Sequence, residues 1–189
     1  MLSTQFFEAF SQNDCDQIKT LIDNNSTQLS SENISPQSQQ AYYYNCLLNK
    51  DPANNLTTVI NYIGGFTAKT DNVHVNDLCI NLLSLNDQKV ITLTDEQLTK
   101  INAVLNTDLL DYKIYLVRKA IKEMGEKIQA SQFSDQEVTN TKQIFDENFV
   151  AVCKMIAMVV STDEWNAITD SICKFYKVYY PDTQIDCCK

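Results

Sequence analysis

Three Gly and three Pro in 189 residues leave little material for tight hairpin turns, bulges or phosphate-cradling loops. Sheet-rich architectures and Gly-rich nucleotide sites are disfavoured, and helices joined by polar connections are the economical alternative. Histidine occurs once, at His74, which removes most routes to histidine-based acid–base or zinc chemistry. There is no GxSxG, no Walker-type loop, no HExxH and no CxxC. A long apolar run is missing too. The most apolar stretch, residues 149–160, contains Lys154 and falls short of the roughly 20 apolar residues that a bilayer core requires. The opening MLSTQFFEAF carries Glu8 and has neither a basic n-region nor an apolar h-region, so a cytoplasmic protein without a membrane span is expected.

What is present suits a folded chain. Hydrophobic residues make up 44% and charged residues 21%, too apolar a balance for intrinsic disorder. The formal net charge of −9 is uneven: residues 1–112 hold thirteen acids against five bases. Nucleic acid is therefore not an expected partner, since binding it depends on a basic surface that neutralises phosphates. A basic protein would be steered toward such a chain.

Helix starts are the clearest punctuation. Thr94–Gln97, Ser134–Glu137 and Ser161–Glu164 match the S/T-x-x-E/Q capping box, and Asp14, Asp71 and Pro52 mark weaker starts. Helical periodicity predicts about nine helices, near residues 3–12, 15–24, 36–49, 52–63, 72–86, 95–106, 108–130, 135–160 and 162–179. Residues 25–35, NSTQLSSENIS, read as a polar loop, and residues 89–92, KVIT, as the one plausible extended segment. Three successive heptad seams close the chain: Leu110, Ile114, Val117, Ile121, Met124 and Ile128; then Val138, Phe145, Phe149, Val152, Ile156 and Val159; then Trp165, Ile168, Ile172, Phe175 and Tyr179. Short connections make an up-down-up bundle their simplest arrangement. The expectation is an all-α fold, with short paired helices in residues 1–106 packed on a bundle of three longer helices in residues 107–189.

Two local resemblances arise. FFEAFSQNDCDQIKTLIDNN, residues 6–25, resembles one helix pair of an ankyrin-type repeat, with Phe6, Ala9, Asn13, Asp14, Ile18, Leu21 and Ile22 at matching places. No TPLH-like tetrad and no fixed period over three units follow, so no repeat array is expected. Cys187-Cys188-Lys189 resembles the double-cysteine ending of Rab-type GTPases, but the GTPase motifs and the polybasic flank are absent.

Candidate chemistry is sparse. Asp71, His74 and Asp77 fall on one helical face and could in principle hold a divalent ion, but capping by Asp71 and solvation of Asp77 explain them adequately. Cys15 at a helix N-terminus, with His74 as base, is the one conceivable nucleophilic pair, and Asp14 and Asp16 oppose a thiolate there. Cys46, Cys79, Cys153 and Cys173 lie in or beside apolar stripes and read as buried reduced thiols. Sequons begin at Asn24, Asn25, Asn33 and Asn55, which an Asn-rich chain generates by accident. No cofactor and no metal are expected. The surplus lies in aromatics: AYYYN at residues 41–45 and KFYKVYYP at residues 174–181 nominate Tyr42, Tyr43, Tyr176 and Tyr180 as partner-binding residues. The expected function is noncatalytic protein binding, as an adaptor or complex subunit. An acidic inhibitor that occludes a basic enzyme or toxin is the alternative, and a motif-poor enzyme comes third.

Overall fold

The computed structural model describes residues 1–130, 134–155 and 162–185, with side chains at all of these except 124–130, 149–155, 162 and 164. Nine α-helices and no strand occur among the described residues: α1 Leu2–Ser11, α2 Cys15–Ser31, α3 Pro36–Lys50, α4 Pro52–Ile63, α5 Val73–Asp87, α6 Asp95–Val104, α7 Leu110–Ala130, α8 Asp135–Met155 and α9 Thr162–Tyr179. They form two compact units, Met1–Leu109 and Leu110–Lys189. Among the described residues no helix is long and apolar enough to cross a membrane.

Scarce glycine is replaced at helix ends by residues that accept the left-handed conformation. Asn13, Asn33 and Lys89 have φ of 54°, 69° and 60°. Each ends its helix with the paired 6→1 and 5→2 bonds of a Schellman turn. The N–H groups of Asp14, Ile34 and Val90 donate to the carbonyls of Ala9, Leu29 and Leu85, and those of Asn13, Asn33 and Lys89 to Phe10, Ser30 and Asn86. This corrects the extended segment expected at residues 89–92. Lys89 is the turn residue of α5's exit, while Ile91 and Leu93 are buried.

The polar loop expected over residues 25–35 is corrected as well, because α2 continues through Asn25 to Ser31. The helix kinks at Asn25, where φ is −139°. Beside the kink the fully buried Gln39 receives a hydrogen bond from Ser26 Oγ (2.7 Å) and donates from Nε2 to the carbonyls of Ser26 (2.9 Å) and Ile34 (2.7 Å). A side chain inserted into the backbone ladder is a known cause of kinking. Composition alone suggested a loop because the two anchoring apolar residues, Leu29 and Ile34, are outnumbered by polar ones; both join the core with Phe6, Ile18 and Ile22.

In the first unit α3 is the central element, packing on α1, α2, α4 and α5, while α6 packs on α4 and α5. Asp51 both ends α3 and caps α4, its carboxylate accepting from the Asn54 N–H. A second buried amide, Asn76, donates to the Thr70 and Asn72 carbonyls (2.7 and 2.9 Å) and accepts from the Asn106 N–H (2.7 Å), tying the α4–α5 connection to the end of α6. In the second unit α7 packs on α8 and α9, and Ile114, Val117, Phe145, Ile168, Ile172 and Phe175 share one core. The expected seams therefore meet within the chain wherever their side chains are described. Met124, Ile128, Phe149, Val152, Ile156 and Val159 lie outside the described side chains.

Candidate functional site

Two capping interactions set the position of α5 against α3. Asn72, rather than the expected Asp71, is the N-cap of α5. Its carbonyl oxygen accepts from the N–H groups of His74 (3.1 Å) and Val75 (3.2 Å), and its amide donates to Ser38 Oγ in the first turn of α3 (3.0 Å). Two turns further along, the Asn81 amide donates to Asn45 (2.7 Å) and Asn49 (2.8 Å) of α3. Between these polar clasps the helices enclose a cavity of about 270 Å³, lined by Phe10 of α1, Ala41, Tyr42 and Asn45 of α3, and His74 and Asp77 of α5.

Tyr42 is the hub of this cavity. Its ring meets Phe6, Phe7 and Phe10 edge-on at centroid distances of 5.6, 5.6 and 4.8 Å and lies against the His74 ring at 4.4 Å. The quadrupoles of aromatic rings favour such edge contacts. The Tyr42 hydroxyl is 3.4 Å from His74 Nε2, and Asp77 lies 3.7 Å from His74 Nδ1. A consistent tautomer has Nδ1 protonated toward Asp77 and Nε2 accepting from Tyr42. Burial depresses the His74 pKa, while burial and then the Asp77 charge raise that of Tyr42. Asp77 pulls His74 the opposite way, but 3.7 Å is too long for a hydrogen bond and this carboxylate is 44% exposed, so burial prevails. A nucleophile needs a lowered pKa or a close base. Tyr42 has a raised one, and its hydroxyl lies at the long distance of 3.4 Å from His74 Nε2.

The sign of the His74 shift gives a stability prediction. A His whose folded-state pKa is depressed favours the neutral form, so its contribution is fully present above the unfolded value of 6.5 and is lost as pH falls through the folded value. Urea midpoints should therefore decrease below about pH 6.5, and His74→Gln should flatten that part of the profile relative to the parent. A parent and variant with parallel profiles would contradict the neutral assignment.

The other expected sites are rearranged. Asp71 does not join His74 and Asp77; its carboxylate accepts from Asn106 Nδ2 (2.8 Å). No group of three or more metal-capable side chains gathers among the described residues. Cys15 cannot be a nucleophile, because it is disulfide-bonded to Cys46 with the Cα atoms 5.6 Å apart. Cys173 is also disulfide-bonded. The expectation of reduced thiols is thus corrected at Cys46 and Cys173. Burial was read properly from the apolar stripes at Cys46 and Cys79, whereas Cys173 is only half-buried and Cys153 lies outside the described side chains; the approach of Cys15 to Cys46 arises only once α2 has packed on α3. Cys79 is a buried free thiol, pushed up to about 12 by burial.

Of the four nominated tyrosines, only Tyr42 lines the cavity. Tyr43, half-buried on a different face of α3, packs on Tyr44 at 5.4 Å. In the second unit Tyr176 is 4% exposed, so it belongs to the core rather than to a surface patch. Its hydroxyl donates to Asp146, and burial followed by that bond raises its pKa. Tyr180 is half-buried, with Lys142 Nζ 5.4 Å from its ring centre. The sequence reading missed Phe10 and Asn45, whose relation to His74 has no local spacing. Compared with family models, curated proteins and solved structures, the chain matches none.

Proposed function

We propose that this is a noncatalytic protein-binding protein that engages its partner through the α1–α3–α5 face of the first unit. The observation that carries this reading is the open aromatic cavity around Tyr42, framed by two polar clasps that hold α3 and α5 at a set separation. At about 270 Å³ it lies just below the roughly 300–1,000 Å³ of small-molecule and cofactor sites, a size suited to a side chain presented by another protein. Aromatic side chains anchored in well-packed surroundings are the usual centres of interface energy. Tyr43 and Tyr180 keep part of their rings exposed and are assigned peripheral roles. The cytoplasmic setting expected from the sequence sits poorly with disulfide-bonded cysteines, since cytosolic thiols are kept reduced.

The test is affinity capture from native extract with three baits, the parent chain, Tyr42→Leu and Tyr180→Leu. A stoichiometric partner that is retained by the parent and by Tyr180→Leu but lost with Tyr42→Leu supports the reading. Retention by all three baits, or no partner for any of them, overturns it. The acidic-inhibitor alternative draws on the same unit: residues 1–109 hold twelve acids and five bases. It requires an association rate that falls steeply between about 50 and 300 mM salt, as the Debye length contracts below about 10 Å.

A further inference from the structure

We infer that Asn33 is a glycosylation site, carrying an oligosaccharide on its side-chain nitrogen. Disulfides persist in oxidising settings, the secretory lumen and the cell exterior above all, and here Cys15 and Cys46 are joined in one while Cys173 belongs to another. In that setting an Asn-x-Ser/Thr sequence is an acceptor for N-linked sugar rather than an accident of composition. Four such sequences begin at Asn24, Asn25, Asn33 and Asn55, and the fold separates them. Of the four, only Asn33 stands in a connection between helices, α2 and α3. It is exposed, and so are Ser31, Ser35, Pro36 and Gln37 around it, which leaves room for a bulky hydrophilic group.

The other three lie within helices. The Asn55 amide donates to the carbonyls of Leu47 (2.9 Å) and Asp51 (3.0 Å) at the junction of α3 and α4, and a sugar takes one of its two amide hydrogens together with the space beside it. Asn25 is half-buried at the kink of α2. Asn24 is exposed but sits inside α2, and the hydroxyl of its sequon, Ser26 Oγ, holds the buried Gln39 at 2.7 Å. At Asn33 the left-handed φ of 69° accounts for an Asn, and the cap of α3 accounts for the Ser35 hydroxyl, which accepts from the Ser38 N–H (3.2 Å). Gly would serve the turn and Asp the cap at least as well, so neither role by itself calls for the pair. The Ser35 cap also sets the order of events: transfer takes place on the nascent chain, before α3 forms. The donor is an oligosaccharide carried on a polyprenyl diphosphate. The Asn33 amide nitrogen bonds to the anomeric carbon and loses a proton, while the bond from that carbon to the diphosphate oxygen breaks and releases the polyprenyl diphosphate.

The experiment takes the full chain purified from its native cells and treats it, in heavy-oxygen water, with an amidase that cleaves N-linked sugar. Peptide mass spectra should then show a heavy-oxygen aspartate at position 33 and an unmodified Asn55. Two variants made in the same cells remove the sequon while sparing the fold: Asn33→Gly keeps the left-handed turn, and Ser35→Asp keeps the cap of α3. Both should lose the mobility step that the amidase removes from the parent, and both should melt at about the temperature of the amidase-treated parent. Ser35→Thr, which keeps sequon and cap alike, should retain the step. An unmodified Asn33 in the native protein, or a mobility step that survives in both Asn33→Gly and Ser35→Asp, overturns the inference. The protein-binding reading is tested separately by capture through Tyr42 and does not depend on this outcome.

Discussion

Replacing both Cys15 and Cys46 with Ala should lower the stability of the first unit by about 3–4 kcal/mol, because the cross-link joins residues 31 apart and its loss frees that loop in the unfolded chain. For a unit of this size the melting temperature should drop by about 15 °C or more. Both side chains are buried, so truncation adds a small packing loss to the entropic one. In the melting transition of the first unit, thiol reductant should produce most of the same drop in the parent and very little in the double variant, since the disulfide-bonded Cys173 belongs to the second unit. Should reductant leave the parent's melting temperature unchanged, the bond is not part of the native state. Alkylation of the protein taken directly from its native setting complements this test. Cys15 and Cys46 should be protected there, as Cys15 is 1% and Cys46 0% exposed as well as bonded.

The second large effect is expected from Phe145→Asp. Phe145 is fully buried, meets Phe175 edge-on at 5.2 Å and joins residues from α7, α8 and α9 in one core. A carboxylate there has no partner and removes an aromatic ring from the packing, together costing about 4 kcal/mol or more. Trp165, the single tryptophan, packs against the same cluster from α9, so its fluorescence during urea unfolding reports this unit directly. Ile121→Asp at the half-buried edge should cost less. If Phe145→Asp left the unfolding midpoint unchanged but abolished self-association in sedimentation, the seam would face a second copy instead of its own chain.

Local rules made most of the architecture legible. Thr94 and Gln97 form the reciprocal capping box that their spacing announced, and the Ser134–Glu137 box likewise has both of its bonds. Among the described side chains, the heptad positions Ile114, Val117, Phe145, Ile168, Ile172 and Phe175 share one core, as the seam spacing led one to expect. What escaped was tertiary in origin. The continuation of α2 depends on Gln39 reaching back to Ser26, the disulfide depends on α2 meeting α3, and Tyr42 meets His74 across 32 residues of sequence. Tyr176 was misassigned to the surface because aromatics on several helical faces look like surplus until the tertiary contact with Asp146, 30 residues away in sequence, accounts for the hydroxyl.

The pairing of helices in the first unit also bears on how the chain reaches its native state. Its helix contacts join elements that are adjacent or one apart in order: α1 with α2 and α3, α3 with α4 and α5, α4 and α5 with α6. Contacts of such short sequence separation cost little loop-closure entropy and favour fast folding. A nascent chain that has released only α1, α2 and α3 already holds both cysteines of the cross-link and the Gln39 clasp. The aromatic wall contributed by Phe10 and Tyr42 can therefore assemble vectorially during synthesis, with α5 docking last to bring His74 and Asp77 to a surface already in place.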